Sequence, residues 1–362
     1  MNIFIRTAIA PYRIDFYNAL HTRLGMRMCF YHRVGADLPF NLESLEKRCC
    51  FRPTFLKGIR MGADSRKICF GLGRLVRKEK PDLVIVPEFQ IPLFQMRLIR
   101  RLGRNKFRII SMCDDSIDMI RHDNDFSGIH RFLRNWAPHL VDEIIVVSPA
   151  VQEWYREHFG KGLLMPIMMD NRKTRVYYGE LLPRSAALVE ENGLQGRRVL
   201  LFVGRLVALK QVDRLIQAFS SMEGDEVLVI IGDGPERKRL ERLAAASGKE
   251  IRFTGRLEGD ELYAWYNVGQ VLVLPSTQEA FGAVVNEALL AGTRVVVSDR
   301  AGASCLVTPD NGAVVAVDNE KNFRDALVQQ LVATRPFDGT LRPDMMPFDF
   351  DTLVSQLVQD LS

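Results

Sequence analysis

Two carboxylates eight positions apart, Glu279 and Glu287, bracket the segment EAFGAVVNE. A carboxylate accepts hydrogen bonds from hydroxyls, so two at a fixed spacing suit a ligand with hydroxyls in two places, such as two sugars. The elements that must hold them are written around them. The apolar run Val271–Ser276 reads as a buried strand, a short loop carries Glu279, and AVVNEALLAG reads as a helix stopped by Gly292. Phe281, Gly282 and Ala283 open that helix. N–H groups at such an end have no partner inside the helix, and the end suits a phosphate. Gly282 admits a ligand close to the backbone. Glu287 lies about one turn in, roughly 5–6 Å from the start. A solvated loop Glu followed by a helix-capping Glu gives the same spacing, so the surroundings decide.

Upstream stands LLFVGRLVALK, residues 200–210: a strand, a tight turn at Gly204, and the cations Arg205 and Lys210. VLVIIGDGPE, residues 227–236, is a second strand that ends in a glycine turn at Gly232 before a helix. IRFTGRL, residues 251–257, is a third strand and turn, with Arg256 and Leu257 at its end. All three segments fall where strand passes to helix. In an open parallel sheet the carboxyl ends of strands are where ligands bind.

In this order the residues resemble the retaining glycosyltransferases of family 4, the bacterial "group 1" glycosyltransferases. The family motifs are a G-R-x-x-x-x-K turn, a G-x-G-P turn, an F-x-G-R segment, and E-x7-E with F-G inside it. The resemblance covers about the last 165 residues well and the first half loosely. It implies an α/β chain of the GT-B class: two facing Rossmann-like domains with parallel sheets, a nucleotide-sugar between them, and a C-terminal helix crossing back. Residues 1–170 are then the acceptor-side domain, 171–345 the nucleotide-sugar domain, and 346–362 the crossover helix. Carried over residue by residue, Arg205 and Lys210 clamp the donor diphosphate at the Gly204 turn, with the Gly232 turn beside it. Glu287 binds the ribose. Glu279 holds the transferred sugar, with the backbone of Phe281 and Gly282 close by. Arg256 and Leu257 lie near the base.

Composition fits such a chain. A length of 362 residues suggests two domains, and an apolar fraction of 47% fills two cores. Six scattered cysteines without a C-x-x-C pair point to a reducing compartment and away from structural zinc. The chain opens on a strand without a secretory apolar core, and no run reaches membrane-spanning length. Charge is uneven. Residues 1–170 carry 27 Lys and Arg against 18 Asp and Glu, and the remainder 22 against 26. The basic half is the one to meet an anionic surface.

The first half supplies the other candidates. After an opening strand, the loop Thr7–Arg13 takes the place where relatives put a glycine pair. Ala8, Ile9 and Ala10 stand there instead, and Arg13 either faces the cleft or serves the structure. Met26–Arg33 reads as a second strand. The segment 57–86 reads as a loop, an amphipathic helix, and a strand from Asp82 to Val86. It is rich in Lys and Arg, as is 92–108, and the two readings are solvated helix faces or docking on anionic lipid. No nucleic-acid module or stacking platform accompanies them. The strand from Arg108 runs into Asp114 and Asp115, where relatives place a histidine near the transferred sugar. One of these carboxylates holds the acceptor hydroxyl, or Asp115 caps a turn and Asp114 is solvated. His122, several residues on, is the next candidate. Asp123-Asn124-Asp125 has a cation-binding form. With Arg205, Lys210 and a helix end already serving the diphosphate, no metal and no cofactor are expected. Ser148 reads as the cap of the helix that begins at Pro149.

The resulting expectation is a cytoplasmic, retaining, metal-independent glycosyltransferase, peripheral at the inner face of the cell membrane. It takes a UDP- or GDP-linked sugar to a glycan or lipid-linked acceptor in polysaccharide or lipopolysaccharide assembly. A nucleotide-sugar epimerase on the same architecture, or a silent nucleotide-sugar-binding relative, are the alternatives.

Overall fold

Short apolar runs alternate with helical ones along most of the chain, and in the computed structural model they form two units. The structure describes residues 1–33, 42–60, 67–103, 106–122 and 128–362. Unit 1 comprises Met1–Met169 with Phe350–Ser362, and unit 2 comprises Asp170–Asp349. The strands of unit 1 are β1 (Asn2–Arg6), β2 (Met26–Phe30), β3 (Thr54–Phe55), β4 (Gly58–Arg60), β5 (Lys67–Cys69), β6 (Leu83–Pro87), β7 (Arg108–Cys113), β8 (Glu143–Val146) and β9 (Leu163–Leu164). Those of unit 2 are β10 (Val199–Val203), β11 (Val227–Ile231), β12 (Ile251–Gly255), β13 (Val271–Leu274), β14 (Arg294–Ser298) and β15 (Gly312–Val315).

Among the described residues the main sheet of unit 1 runs β3-β2-β1-β6-β7-β8-β9, and that of unit 2 runs β12-β11-β10-β13-β14-β15. Every pairing within both sheets is parallel. The sequence dictates this: β6, β10 and β11 are buried at every position, and a strand apolar on both faces needs helices on both faces. In each sheet the chain builds outward one way from the first strand, then returns to build the other way. The points of reversal, between β1 and β6 and between β10 and β13, are where such sheets bind ligands.

The last helix, Phe350–Leu361, returns to unit 1. Phe350, Val354, Leu357 and Leu361 form its buried stripe. Arg23 donates to Asp351 and Ser355, and Arg108 donates to the Leu361 carbonyl at 2.9 Å. The last helix is thereby fastened near its start to the helix Ile14–Leu24 and at its end to β7.

Two local expectations are corrected. The basic segment after Lys57 keeps the expected helix and the strand that follows it, but its loop part contains paired strands. Among its described residues, β4 and β5 form an antiparallel hairpin, and the helix spans only Leu72–Glu79. Lys67 caps the Tyr31 and Leu56 carbonyls with its ammonium, which pins β5 beside the sheet. Ser148 occupies the cap position before Pro149, but its side chain makes no capping bond.

Candidate functional site

In unit 2 the turns after β10 and β11 are knitted together by backbone. Gly204 donates to Ile231 at 3.0 Å, Leu206 to Asp233 at 2.9 Å, and Glu236 to Leu206 at 3.0 Å. This contact demands glycine. A Cβ on Gly232, at φ 150°, would lie 1.8 Å from the Gly204 carbonyl oxygen, and one on Gly234 would lie 2.4 Å from that of Leu206. Gly232 is therefore explained by loop against loop. Arg205 stands exposed on this platform.

Lys210 follows on a short turn tied to the loop after β13, where Thr277 donates its N–H to the Leu209 carbonyl at 2.9 Å. The two loops bring Lys210 and Glu279 into a direct ion pair, each side chain 17% exposed. Glu279 is fixed from behind. It bridges Ala301, and its carbonyl accepts the Gly302 N–H at 3.2 Å. A Cβ on Gly302 would lie 2.2 Å from the Ala280 carbonyl oxygen, so this support also demands glycine. Phe281 is buried, which leaves only its backbone for a ligand. Gly282, at φ 100°, begins the helix Ala283–Leu290 with no side-chain cap, and Leu274 closes off the space of a Cβ.

Glu287 sits on the second turn of that helix and is buried. The sequence assigns its carboxylate to ligand hydroxyls, but the structure shows protein hydroxyls on it. Tyr266 donates to Oε2 at 2.6 Å, and the Tyr263 hydroxyl lies 3.5 Å from Oε1. Tyr178 donates to the Glu287 carbonyl at 2.7 Å. Sequence reasoning missed these tyrosines. The available signal was the i, i+3 pair Tyr263 and Tyr266 on the helix Gly259–Val268, which reads as ordinary core. Arg256 and Leu257 follow β12 at the sheet edge, and Arg256 is paired with Glu258.

Unit 1 gathers its candidates at the ends of β1, β6 and β7. Asp114 is held by Arg6 at 2.5 Å and Arg13 at 2.6 Å. Burial works against its charge, but Arg13 and Arg6 together hold its carboxyl below the usual range. Arg13 is buried with its guanidinium on Asp114. Asp115 pairs with buried Arg134 at 2.5 Å. The cap of the next helix is Ser116, which accepts from the Met119 N–H at 3.2 Å, so the expected alternative of an Asp115 cap and a solvated Asp114 fails. His122 stands exposed and pairs with Asp118 at 3.0 Å, not with Asp114 or Asp115.

Glu88, which follows β6, completes the cluster. Its carboxyl, the Cys113 thiol and the Asp115 carboxylate lie within 4.8 Å of one another. Tyr155 donates to Glu88 at 3.1 Å. Burial and the Asp115 charge push the Glu88 carboxyl well above its ordinary value, and burial and Glu88 push the Cys113 thiol well up. Asp115 already carries the Arg134 guanidinium, which would compete with a cation for this trio. The Asp123–Asp125 motif lies outside the described residues.

Residues 186–333, all in unit 2, match the family model described as glycosyl transferases group 1. A GDP-mannose-dependent alpha-mannosyltransferase of Mycolicibacterium smegmatis is 37% identical over 141 residues, 39% of this chain and 36% of the relative. An alpha-D-kanosaminyltransferase of Streptomyces kanamyceticus is 33% identical over 137 residues, 36% of each chain. The chain thus spans 36% of the length of these curated relatives. Among solved structures, the lipopolysaccharide outer core galactosyltransferase WaaB matches with a TM-score of 0.70 at 17% identity, over 100% of this chain and 99% of that one. HepE of Anabaena in complex with UDP matches with a TM-score of 0.72 at 17% identity, over 99% of each chain. At that identity the likeness is one of fold. The chain has the GT-B fold and, through residues 186–333, resembles the group 1 glycosyltransferases.

Proposed function

We propose that the chain is a retaining glycosyltransferase that moves a sugar from a nucleotide-diphosphate-sugar to a glycan or lipid-linked acceptor in cell-surface polysaccharide assembly. One observation carries the reading. Lys210 and Glu279 meet at the carboxyl ends of β10 and β13, beside the helix start at Gly282, inside the segment that matches the family. A cation and a helix end suit a diphosphate, and the carboxylate suits the sugar next to it. HepE binds UDP and UDP-glucose, and the mycobacterial relative depends on GDP-mannose, so both bases are candidates.

In this reading Arg205 and Lys210 hold the diphosphate, Glu287 the ribose and Glu279 the sugar, with the base near Arg256 and Leu257. The acceptor oxygen bonds to the anomeric carbon as the bond to the phosphate oxygen breaks, on the same face. The departing phosphate oxygen takes the acceptor proton. The chain then supplies alignment and support for charge growing on the ring, with no strong base and no divalent metal required. Asp114 or Asp115 aligns the acceptor hydroxyl, and Arg6 and Arg13 keep Asp114 ionised. The enzyme acts at the inner face of the cell membrane. Incubation with a panel of UDP- and GDP-sugars, with and without extracted membranes and with EDTA, tests this. The expected result is a sugar added to the acceptor fraction, its anomeric configuration kept and its yield unchanged by the chelator. Donor turnover without acceptor to free nucleotide and an epimerised sugar would make the chain an epimerase instead.

A further inference from the structure

Glu287 is a buried carboxylate whose direction is set from behind by a shell of tyrosines. Tyr266 is fully buried, and its hydroxyl lies 2.6 Å from Oε2. Tyr263 reaches Oε1 only at 3.5 Å, so the two oxygens are not equivalent. Tyr178, also fully buried, binds the backbone of the same residue rather than its side chain. The ring of Tyr263 packs edge-on against Tyr266, with centroids 6.1 Å apart, and tilted against Tyr178 at 5.6 Å. Tyr266 is itself anchored, because Arg342 donates to its carbonyl at 3.0 Å and Thr293 at 2.7 Å. The hydroxyl thus comes from a rigid position on one helix to a carboxylate on another.

A buried tyrosine hydroxyl needs some partner, and a carbonyl would satisfy it, as one does for Tyr178. A carboxylate acceptor at 2.6 Å makes a stronger bond, and that bond fixes the rotation of the carboxyl group. A carboxylate offers about four lone-pair positions, so accepting from tyrosine does not exhaust it. We infer that Tyr266 is the positioning residue that makes Glu287 selective for a ribose diol, by fixing the rotation of its carboxylate through the bond to Oε2. The inference rests on the proposed donor role of Glu287 and adds the residue on which that role depends. Tyr263, at its longer distance, is a lesser contributor.

Titration calorimetry with UDP, GDP and their 2′,3′-dideoxy forms tests it on the whole protein. The unmodified chain binds one ribonucleotide more tightly than its dideoxy form. Tyr266→Phe reduces that preference on the order of tenfold, the effect of weakening a hydrogen bond to a charged group. It raises the donor KM and leaves kcat near its original value. Tyr263→Phe changes the preference less. Tyr178→Phe lowers thermal stability and keeps the preference, which separates positioning from general loosening of the fold. Glu287→Gln abolishes the preference. If Glu287→Gln abolishes it and Tyr266→Phe retains it in full, the tyrosine does not position the carboxylate. If the unmodified chain and Glu287→Gln bind both forms equally, the ribose reading of Glu287 fails, and this inference fails with it.

Discussion

Lys210 and Glu279 are bound to each other, so a diphosphate that takes the lysine competes with a carboxylate for it. The two assigned roles are therefore in competition. Glu279→Gln removes the competitor while losing the charge that supports the reacting sugar. Nucleoside diphosphate should bind roughly fivefold more tightly, about 1 kcal/mol for a partly exposed pair, and transfer should slow. Calorimetry and steady-state rates on the one variant check both halves, and weaker nucleotide binding would show that the carboxylate holds the donor. Lys210→Ala or Arg205→Ala should weaken nucleotide binding about ten- to a hundredfold, about 1.5–3 kcal/mol for a charged hydrogen bond. Glu88 gives a pH signature. Its folded carboxyl keeps a proton that the unfolded chain releases near pH 4.5. The folded state binds more protons above that point, so stability falls as pH rises until the folded carboxyl ionises. Asp114 has the opposite sign: its stabilising effect is present above its ordinary value near 3.8 and is lost as pH falls below it. Glu88→Gln should flatten the neutral-side decline in chemical-denaturation midpoints and leave the acid loss unchanged. These carboxylates were legible as residue types at strand ends. Their partners were not, because Arg6 and Arg134 reach Asp114 and Asp115 across 108 and 19 positions of sequence, and periodicity carries no such pairing.

The elements around the unit 2 residues were legible for a physical reason. Runs such as Val227–Ile231 and Val271–Leu274 are buried at every position, and helix stops such as Gly292, at φ 76°, mark themselves. The hairpin of β4 and β5 was not, because a short two-stranded ribbon with charged residues on it shows neither period. The glycines were legible as turns but not for what they touch. Gly302 is the telling case, since its lack of a side chain lets the loop that carries Glu279 lie against the segment Ala301–Ala303. Gly302→Ala would drive a methyl into the Ala280 carbonyl and push that loop forward. The expected outcome is a transfer rate reduced at least tenfold, while overall stability drops by about 1–3 kcal/mol, as for local backbone strain. Gly232→Ala strains the adjoining loop pair in the same way and should move Lys210 rather than Glu279. Comparing the two variants by nucleotide affinity and by rate separates the supports. An unchanged rate in Gly302→Ala would mean that the loop tolerates displacement.

For the molecule as a whole, charge and apolar surface together argue for a membrane partner. The excess of Lys and Arg lies in residues 1–170, and no helix among the described residues is long and apolar enough to cross a membrane. The helix Ile91–Leu102 carries Phe94, Leu98 and Leu102 four apart on one face, with Leu98 and Leu102 exposed. Arg97 and Arg101 flank that stripe. Phe94 stacks on Trp136 at 5.7 Å, and Trp136 stacks on exposed Phe132 at 5.8 Å. Basic side chains around exposed aromatics suit a bilayer interface, where indole rings settle at headgroup depth and each cation adds about 1 kcal/mol near an anionic surface. Composition gave the charge, but only the fold puts the aromatics of two helices beside it. Vesicles with anionic lipid should sediment the protein, neutral vesicles far less, and high salt should weaken the binding. Of the chain's three tryptophans Trp136 is exposed, Trp154 is half-buried against the core and Trp265 is buried. Brominated lipid should therefore quench fluorescence in the unmodified chain and much less in Trp136→Phe. Leu98→Glu with Leu102→Glu should reduce binding more than tenfold even at low salt, since two charges would then face the hydrocarbon boundary. Quenching that persists in Trp136→Phe, or equal binding to both vesicle types, would assign this face to water and leave the arginines as a solvated surface.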